Sequence, residues 1–288
     1  MSPITIPIRS VAIEPDEAIV YMPMPREMTT FEMPSVPEPG PGSDVAGARD
    51  ILARFLRDFG AWLDGDAELP RIDLKGVPLA ALRVVNESLG EGEVAVTADA
   101  GHEIRIQETV FPGVWREQHF DRADGLLHDY LLAAPVPPLV GRLARERASD
   151  RLREITLPAG AMNVPALIHE LQEAMDRSGS EAFAHVVNLT LLPLSPEDTA
   201  HIDAVLDGGS VVILSRGFGN CRISSTAAQD VWRVQYFNNM QTLILNTIEV
   251  TPMPEAAVAA REDLVETRER LAELVAWMSD SVAAARPS

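Results

Sequence analysis

A single cysteine, Cys221, excludes an internal disulfide and any cysteine cluster able to hold zinc or an iron–sulfur centre within one chain. Basic residues are also scarce: 24 lysines and arginines face 43 aspartates and glutamates, a formal net charge of −19. Such a surface excludes nucleic acid and anionic membranes as partners, because their phosphates need positive groups. It favours solubility or a basic partner. No stretch reaches the ~18 consecutive apolar residues of a membrane-spanning helix. The start, Met1-Ser2-Pro3, lacks the basic region and hydrophobic run of a secretion signal, so the expected compartment is the cytoplasm. Neither a Gly-Lys-Ser/Thr phosphate loop nor a GxGxxG fingerprint is present. The histidines, at 102, 119, 128, 169, 185 and 201, form no HxH, HExxH or Cys–His pairing with metal-ligand spacing. They read as structural, and no cofactor is expected.

What the chain does contain is one folding unit written twice, displaced by 117 residues without a gap. Leu89, Gly92 and Val94 recur as Leu206, Gly209 and Val211; Arg105, Ile106 and Thr109 recur as Arg222, Ile223 and Thr226. The run Val114-Trp-Arg-Glu-Gln-His-Phe120 returns as Val231-Trp-Arg-Val-Gln-Tyr-Phe237, and Leu126, Pro135 and Pro137 return as Leu243, Pro252 and Pro254. With 14 identities over 49 aligned positions, chance is a poor explanation. The period exceeds the 20–50 residues of a solenoid repeat and matches a small domain. The fold class is therefore α+β: two tandem copies of a helix-plus-antiparallel-sheet domain. Duplication without a catalytic constellation points to binding rather than chemistry.

Five segments follow. Residues 1–45 hold nine prolines and five of the ten methionines, a density that sustains neither helix nor central strand, and read as a flexible arm. Residues 46–137 form the first repeat. It opens on an amphipathic helix, Asp44 to Asp64, with Ile51, Leu52, Phe55, Leu56, Phe59 and Leu63 at helical spacing. A short strand at Ile72 and Leu74, a helix from Pro78 to Leu89 and four strands (93–98, 103–109, 113–120, 126–133) complete it as a meander. Residues 138–163 contain the charged run Arg142 to Arg153 and read as a helical linker. The second repeat, 164–254, keeps the same order: a helix over 164–177, a strand near 186–192, and a helix opened by Ser195 as N-cap. Strands near 210–215, 220–226, 231–238 and 242–250 follow. Residues 255–288 read as a long C-terminal helix whose stripe of Leu264, Leu271 and Met278 needs a groove, in this chain or in a partner.

Strand alternation places Val231, Arg233, Gln235 and Phe237 on one face and Trp232, Val234 and Tyr236 on the other. The first face is identical in copy one and is expected to be internal packing. The second has diverged from Trp115, Glu117 and His119, so it is where the copies can differ in function; core packing of both tryptophans is the alternative. The hairpin Gly217, Phe218, Gly219, Asn220 and Cys221 belongs to copy two alone and suits a tight turn. These eight residues, Gly217, Phe218, Gly219, Asn220, Cys221, Trp232, Val234 and Tyr236, are the candidate partner-binding set, with the terminal helix lining or covering the strip. No catalytic residue and no metal ligand is assigned. Cys221 as a nucleophile needs a histidine base that no local pattern supplies; a buried thiol is the other reading.

Leu89-Gly-Glu-Gly-Glu-Val94, Asn188-Leu-Thr-Leu-Leu-Pro-Leu-Ser195, Gly219-Asn-Cys-Arg-Ile223, Val231-Trp-Arg-Val-Gln-Tyr-Phe237 and Glu262-Asp-Leu-Val265 together resemble the HupH/HyaF family. These are accessory proteins encoded with membrane-bound uptake [NiFe] hydrogenases, and the resemblance runs from about residue 45 to the end. It implies a non-enzymatic cytoplasmic chaperone for the precursor of the hydrogenase small subunit, the one that carries iron–sulfur clusters and a twin-arginine export signal. A thioredoxin-like accessory protein is the second partner it implies, notably when oxygen is present. Two alternatives stay open: a delivery or enzyme-like role centred on Cys221 and the 215–222 hairpin, and a scaffold joining other maturation proteins.

Overall fold

The computed structural model describes residues 43–65, 68–178, 184–217 and 219–284. The expected arm, 1–45, lies almost wholly outside the described residues. The first helix, α1 (Val45–Leu63), starts at Asp44, whose carboxylate accepts the Gly47 N–H at 2.8 Å. It buries Ala48, Leu52, Phe55, Phe59 and Leu63, one residue per turn. Then come β1 (Arg71–Asp73), α2 (Leu79–Leu89), β2 (Val94–Asp99), β3 (Glu103–Glu108), β4 (Val114–Phe120) and β5 (Leu126–Ala133). Copy two supplies α4 (Val164–Arg177), β6 (His185–Asn188), α5 (Pro196–Leu206), β7 (Val211–Ser215), β8 (Asn220–Ser225), β9 (Val231–Phe237) and β10 (Leu243–Val250). Between the copies lies α3 (Pro138–Glu146); after them, a short 3-10 helix (Glu255–Ala257) leads to α6 (Arg261–Ala284).

The strands form one antiparallel ten-stranded sheet, ordered β1-β5-β4-β3-β2-β7-β8-β9-β10-β6. The copies meet at β2–β7, where Val96 pairs with Ile213. Those two residues are themselves 117 apart in sequence, so the pairing is centred on equivalent positions. A local two-fold therefore relates the halves, as in an isologous dimer. Trp115 and Trp232 lie on one face of this sheet, in a single core completed by Leu139, Val140, Leu143 and Ala144 of α3 and by Ala257. On the opposite face, α1, α2 and α6 cover Val114, Leu131 and Ala133, while α4 and α5 cover Val231, Ile248 and Val250.

The repeated residues do the same physical work in both copies. A Cβ on Gly92 would stand 2.2 Å from the Thr109 carbonyl oxygen, and one on Gly209 1.8 Å from that of Ser225, so no side chain fits at either turn. Trp115 donates its indole N–H to Ala134 O at 2.9 Å; Trp232 donates to Thr251 O at 3.1 Å. Thr109 and Thr226 accept the N–H two residues on, from Phe111 and Ala228. Arg116 donates to Asp129 on β5 and to Asn86 on α2. Arg233 donates to Asn246 on β10 and to Asp203 on α5, the acid and the amide having changed places.

Three expectations change. Helix in 138–163 stops at Glu146, because Ser149 turns aside: its N–H donates to Ala227 O and its carbonyl accepts the Gln229 N–H, both at 2.8 Å. The terminal helix lies along α1 of copy one rather than over copy two, with Leu264, Leu271 and Met278 buried there and Thr267 donating to Pro112 O. The face kept identical between copies is internal only at Val114 and Val231; Arg116, Gln118 and Phe120 and their counterparts are half-buried. Its identity at arginine reflects the helix-to-strand clamp.

Gly209→Ala forces a methyl onto a backbone carbonyl and is expected to cost about 1–3 kcal/mol or more. Gly60→Ala, inside α1 with its nearest neighbour atom 3.9 Å away, should instead stabilise by about 0.5–1 kcal/mol. Urea unfolding of both variants checks the pair; equal midpoints would remove the packing explanation for the repeated glycine.

Candidate functional site

The α3 helix does not close its face of the sheet completely. Beside it runs an open cleft of about 890 Å³, floored by Ala100 and Ile104, with His102 and His119 on one wall and Leu139, Arg142 and Glu146 of α3 on the other. The two imidazoles belong to a polar network built on copy one. His102 Nε2 lies 3.0 Å from His119 Nδ1, and His119 Nε2 lies 3.0 Å from Glu117 Oε1. Glu117 is 4% exposed and also receives the Arg71 guanidinium at 3.4 Å. A buried carboxylate accepts only, so His119 donates from Nε2 and receives the His102 N–H on Nδ1. His128 meets the edge of His119 with ring centres 5.4 Å apart and bonds the Tyr130 hydroxyl at 3.1 Å. The Arg71 guanidinium covers the Tyr130 ring at 3.6 Å. Burial pushes the His119 pKa below the usual histidine value, against the pull of Glu117 and with the help of the neighbouring His102 and His128.

At the positions of His102, Glu117, His119, His128 and Tyr130, copy two has Gly219, Val234, Tyr236, Leu245 and Thr247. The strip expected to offer Trp232, Val234 and Tyr236 to a partner is closed: Trp232 is 1% and Val234 0% exposed, and Tyr236 is half-buried against the same core. They sit on the face that α3 and the 3-10 helix cover, so they are core residues. Cys221 joins them at 4% exposure, beside Tyr236, and burial pushes its thiol up to about 11. A protonated, enclosed sulfur is a poor nucleophile. Of the hairpin, Gly217 and Gly219 are exposed and Asn220 half-buried, while Phe218 lies outside the described residues.

That hairpin shares its end of the sheet with an apolar surface that sequence patterning missed. Asn220 pairs with Phe237, and Phe237 with Leu243. Beyond β6 the ladder continues loosely, with the Leu189 N–H donating to Asn246 O at 2.9 Å and the Asn246 N–H to Thr190 Oγ1 at 2.8 Å. The chain then turns, the Leu191 N–H donating to Asn188 O, so the 189–192 turn sits against Asn246 of β10, the strand that begins with Leu243 and Ile244. Leu191 is 79%, Met240 74% and Ile244 55% exposed, an unusual concentration for so charged a chain. Copy one has no match: after β1 its chain reaches Lys75, whose ammonium donates to Leu127 O at 2.7 Å. The available signal was the leucine-rich run 189–194, too long and apolar for the four-residue strand before it.

The molecule is thus a duplicated α+β unit fused through its edge strands, one copy carrying a polar cleft and the other exposed apolar residues at its sheet end. The family model "HupH hydrogenase expression protein, C-terminal conserved region" matches it twice, over residues 45–156 and 161–278. The chain belongs to this HupH hydrogenase expression protein family. It is 42% identical over 261 residues to the hydrogenase expression/formation protein HupQ of Azotobacter chroococcum mcd 1, covering 90% of this chain and 92% of that one. To HoxQ of Azotobacter vinelandii it is 44% identical over 254 residues, 87% and 89% of the two chains. The hydrogenase-1 operon protein HyaF of Escherichia coli K12 is 31% identical over 217 residues, 74% and 75%. A solved HupH structure from Thiobacillus denitrificans aligns with 41% of this chain and 96% of its own at 30% identity and a TM-score of 0.37. Among the described residues no group of three or more His, Cys, Asp or Glu is placed to hold a metal ion. No described helix is long and apolar enough to cross a membrane.

Burial of His119 sets a titration that NMR can read. Because the folded His119 pKa lies below its unfolded value of 6.5, the unfolded chain binds the proton first, and stability is lost as pH falls from about 6.5 towards the folded value. Imidazole ¹⁵N spectra should show His119 protonated at Nε2 near neutral pH and titrating below 6.5; a midpoint at or above that value would mean that the Glu117 contact outweighs burial.

Proposed function

We propose that this protein is a cytoplasmic chaperone of [NiFe] hydrogenase maturation, holding the small-subunit precursor before twin-arginine export and working with a thioredoxin-like accessory protein. The observation that carries the reading is the apolar sheet end of copy two. Leu191 and Leu192 in the turn after β6 and Met240, Leu243 and Ile244 at the start of β10 are exposed at this end, which also carries Asn220 at the start of β8. Exposed large apolar side chains gathered at one end of a sheet are costly to leave in water and suit a protein-binding site. The relatives' names, hydrogenase expression/formation proteins, supply the pathway. The net charge of −19 suits a client segment that combines apolar and basic residues, since charge steers the encounter and apolar contact holds it. Binding without catalysis is sufficient for this role. The enclosed Cys221 disfavours a delivery step through its sulfur.

The double variant Leu191→Glu and Ile244→Glu is expected to weaken capture of a tagged small-subunit precursor by about 1–3 kcal/mol. Its melting temperature should hardly move, because both side chains are exposed. Leu126→Glu, at the copy-one equivalent of Leu243, should bind normally. Undiminished capture by the well-folded double variant would remove the sheet end as the client surface.

A further inference from the structure

We propose that the cleft beside α3 is a binding site for a small monocarboxylate with an apolar body, and that the ligand is taken up together with a proton held by the His102–His119 pair. The inference is independent of the client reading: it concerns copy one, whereas the client surface lies on copy two.

The cleft has the size of small-molecule sites, which span about 300–1,000 Å³, and its floor of Ala100 and Ile104, with Leu139 and Leu143 on the α3 wall, suits an apolar body. Its polar groups are few and opposed. On α3, Arg142 is exposed and has no hydrogen-bond or ion-pair partner among the described residues, whereas Arg145 in the same wall is held by Asp230 at 2.7 Å. An unpaired guanidinium over an apolar floor is the group a carboxylate meets best. Glu146 on the rim and the strongly acidic chain disfavour a dianion, so one charge is the fit, not a phosphate's two.

The opposite wall holds the proton, which comes from solvent. Glu117 fixes His119, and His119 in turn uses the Nε2–H of His102, which leaves the Nδ1 of neutral His102 able only to accept. Such a ring has no donor for an anion. When a carboxylate enters, protonation of His102 gives Nδ1 a hydrogen to donate, and the new cation is delocalised toward Glu117 through His119. The charged groups around the pair are Glu117 on β4, His128 and Tyr130 on β5, Arg71 on β1, and Arg142, Arg145 and Glu146 on α3. Because the complex carries one proton more than the separate partners, affinity falls as pH rises. Copy two, with Gly219 and Tyr236 at the equivalent positions, has no such pair, so the site is single.

The test titrates the full chain by calorimetry with 4-phenylbutyrate, 4-phenylbutyramide and phenyl phosphate, in buffers of different ionisation enthalpy. The proposal expects one saturable carboxylate site that tightens about fivefold between about pH 8 and pH 6.5, with a matching net uptake of roughly half a proton per ligand over that range. Amide and phosphate should bind about tenfold more weakly. Arg142→Ala should weaken the carboxylate about fivefold and His102→Gln should abolish the proton uptake. Because the three ligands are compared on the unaltered chain, a variant that fails to fold does not obscure the result. No saturable carboxylate binding, equal binding of acid and amide, or binding without proton uptake would overturn the proposal.

Discussion

Everything in this molecule depends on the antiparallel pairing of β2 with β7. A single copy would leave β2 as an open edge, a row of unpaired N–H and carbonyl groups prone to pair with any other strand. Joining the two edges at Val96 and Ile213 satisfies both rows and produces a continuous sheet whose outermost strands, among the described residues, are the short β1 and β6. The central strands then present one face to α3 and the 3-10 helix and the other to the helices of each copy. Val140 on α3 and Ala257 on the 3-10 helix are themselves equivalent, so the cover obeys the same local two-fold as the sheet.

On this symmetric frame the copies have specialised in opposite directions. The frame positions stayed alike because each has a geometric reason: no room at Gly92 and Gly209, an indole N–H needing an acceptor at Trp115 and Trp232, a guanidinium tying helix to strand at Arg116 and Arg233. Even where the clamp changed, it changed in compensation, each arginine keeping one acid and one amide. Away from the frame, copy one carries linked imidazoles and a buried carboxylate, while copy two fills the same depth with Val234, Tyr236 and Leu245 and exposes its leucines at the sheet end.

Much of the fold was legible in the sequence because strand spacing within a meander is set locally. The ungapped repeat located β2 to β5 and β7 to β10 within a residue or two, and Ser195 marked the start of α5 through its capping box with Asp198. The site was less legible, for reasons that lie in long-range packing. Alternation separates the two faces of a strand but does not say which one is covered; α3, sequence-distant from β9, decides that. The heptad of α6 called for a groove without saying whose, and the groove is beside α1, some 200 residues earlier in the chain. His102, His119 and His128 look scattered in sequence. They meet because successive strands of a meander return each to the same face, His128 directly opposite His119 in the ladder. That pairing was the one clue in the spacing.

The central claim is that the copies divide the labour, with the client held at the sheet end of copy two. Site-specific photo-crosslinking tests it most directly, with a photoreactive amino acid placed singly at residues 191, 244, 126 or 123 and the small-subunit precursor co-expressed. The account predicts precursor adducts from 191 and 244 on copy two and none from 126 or 123 on copy one. Adducts confined to the copy-one positions, or spread evenly over both copies, would contradict it.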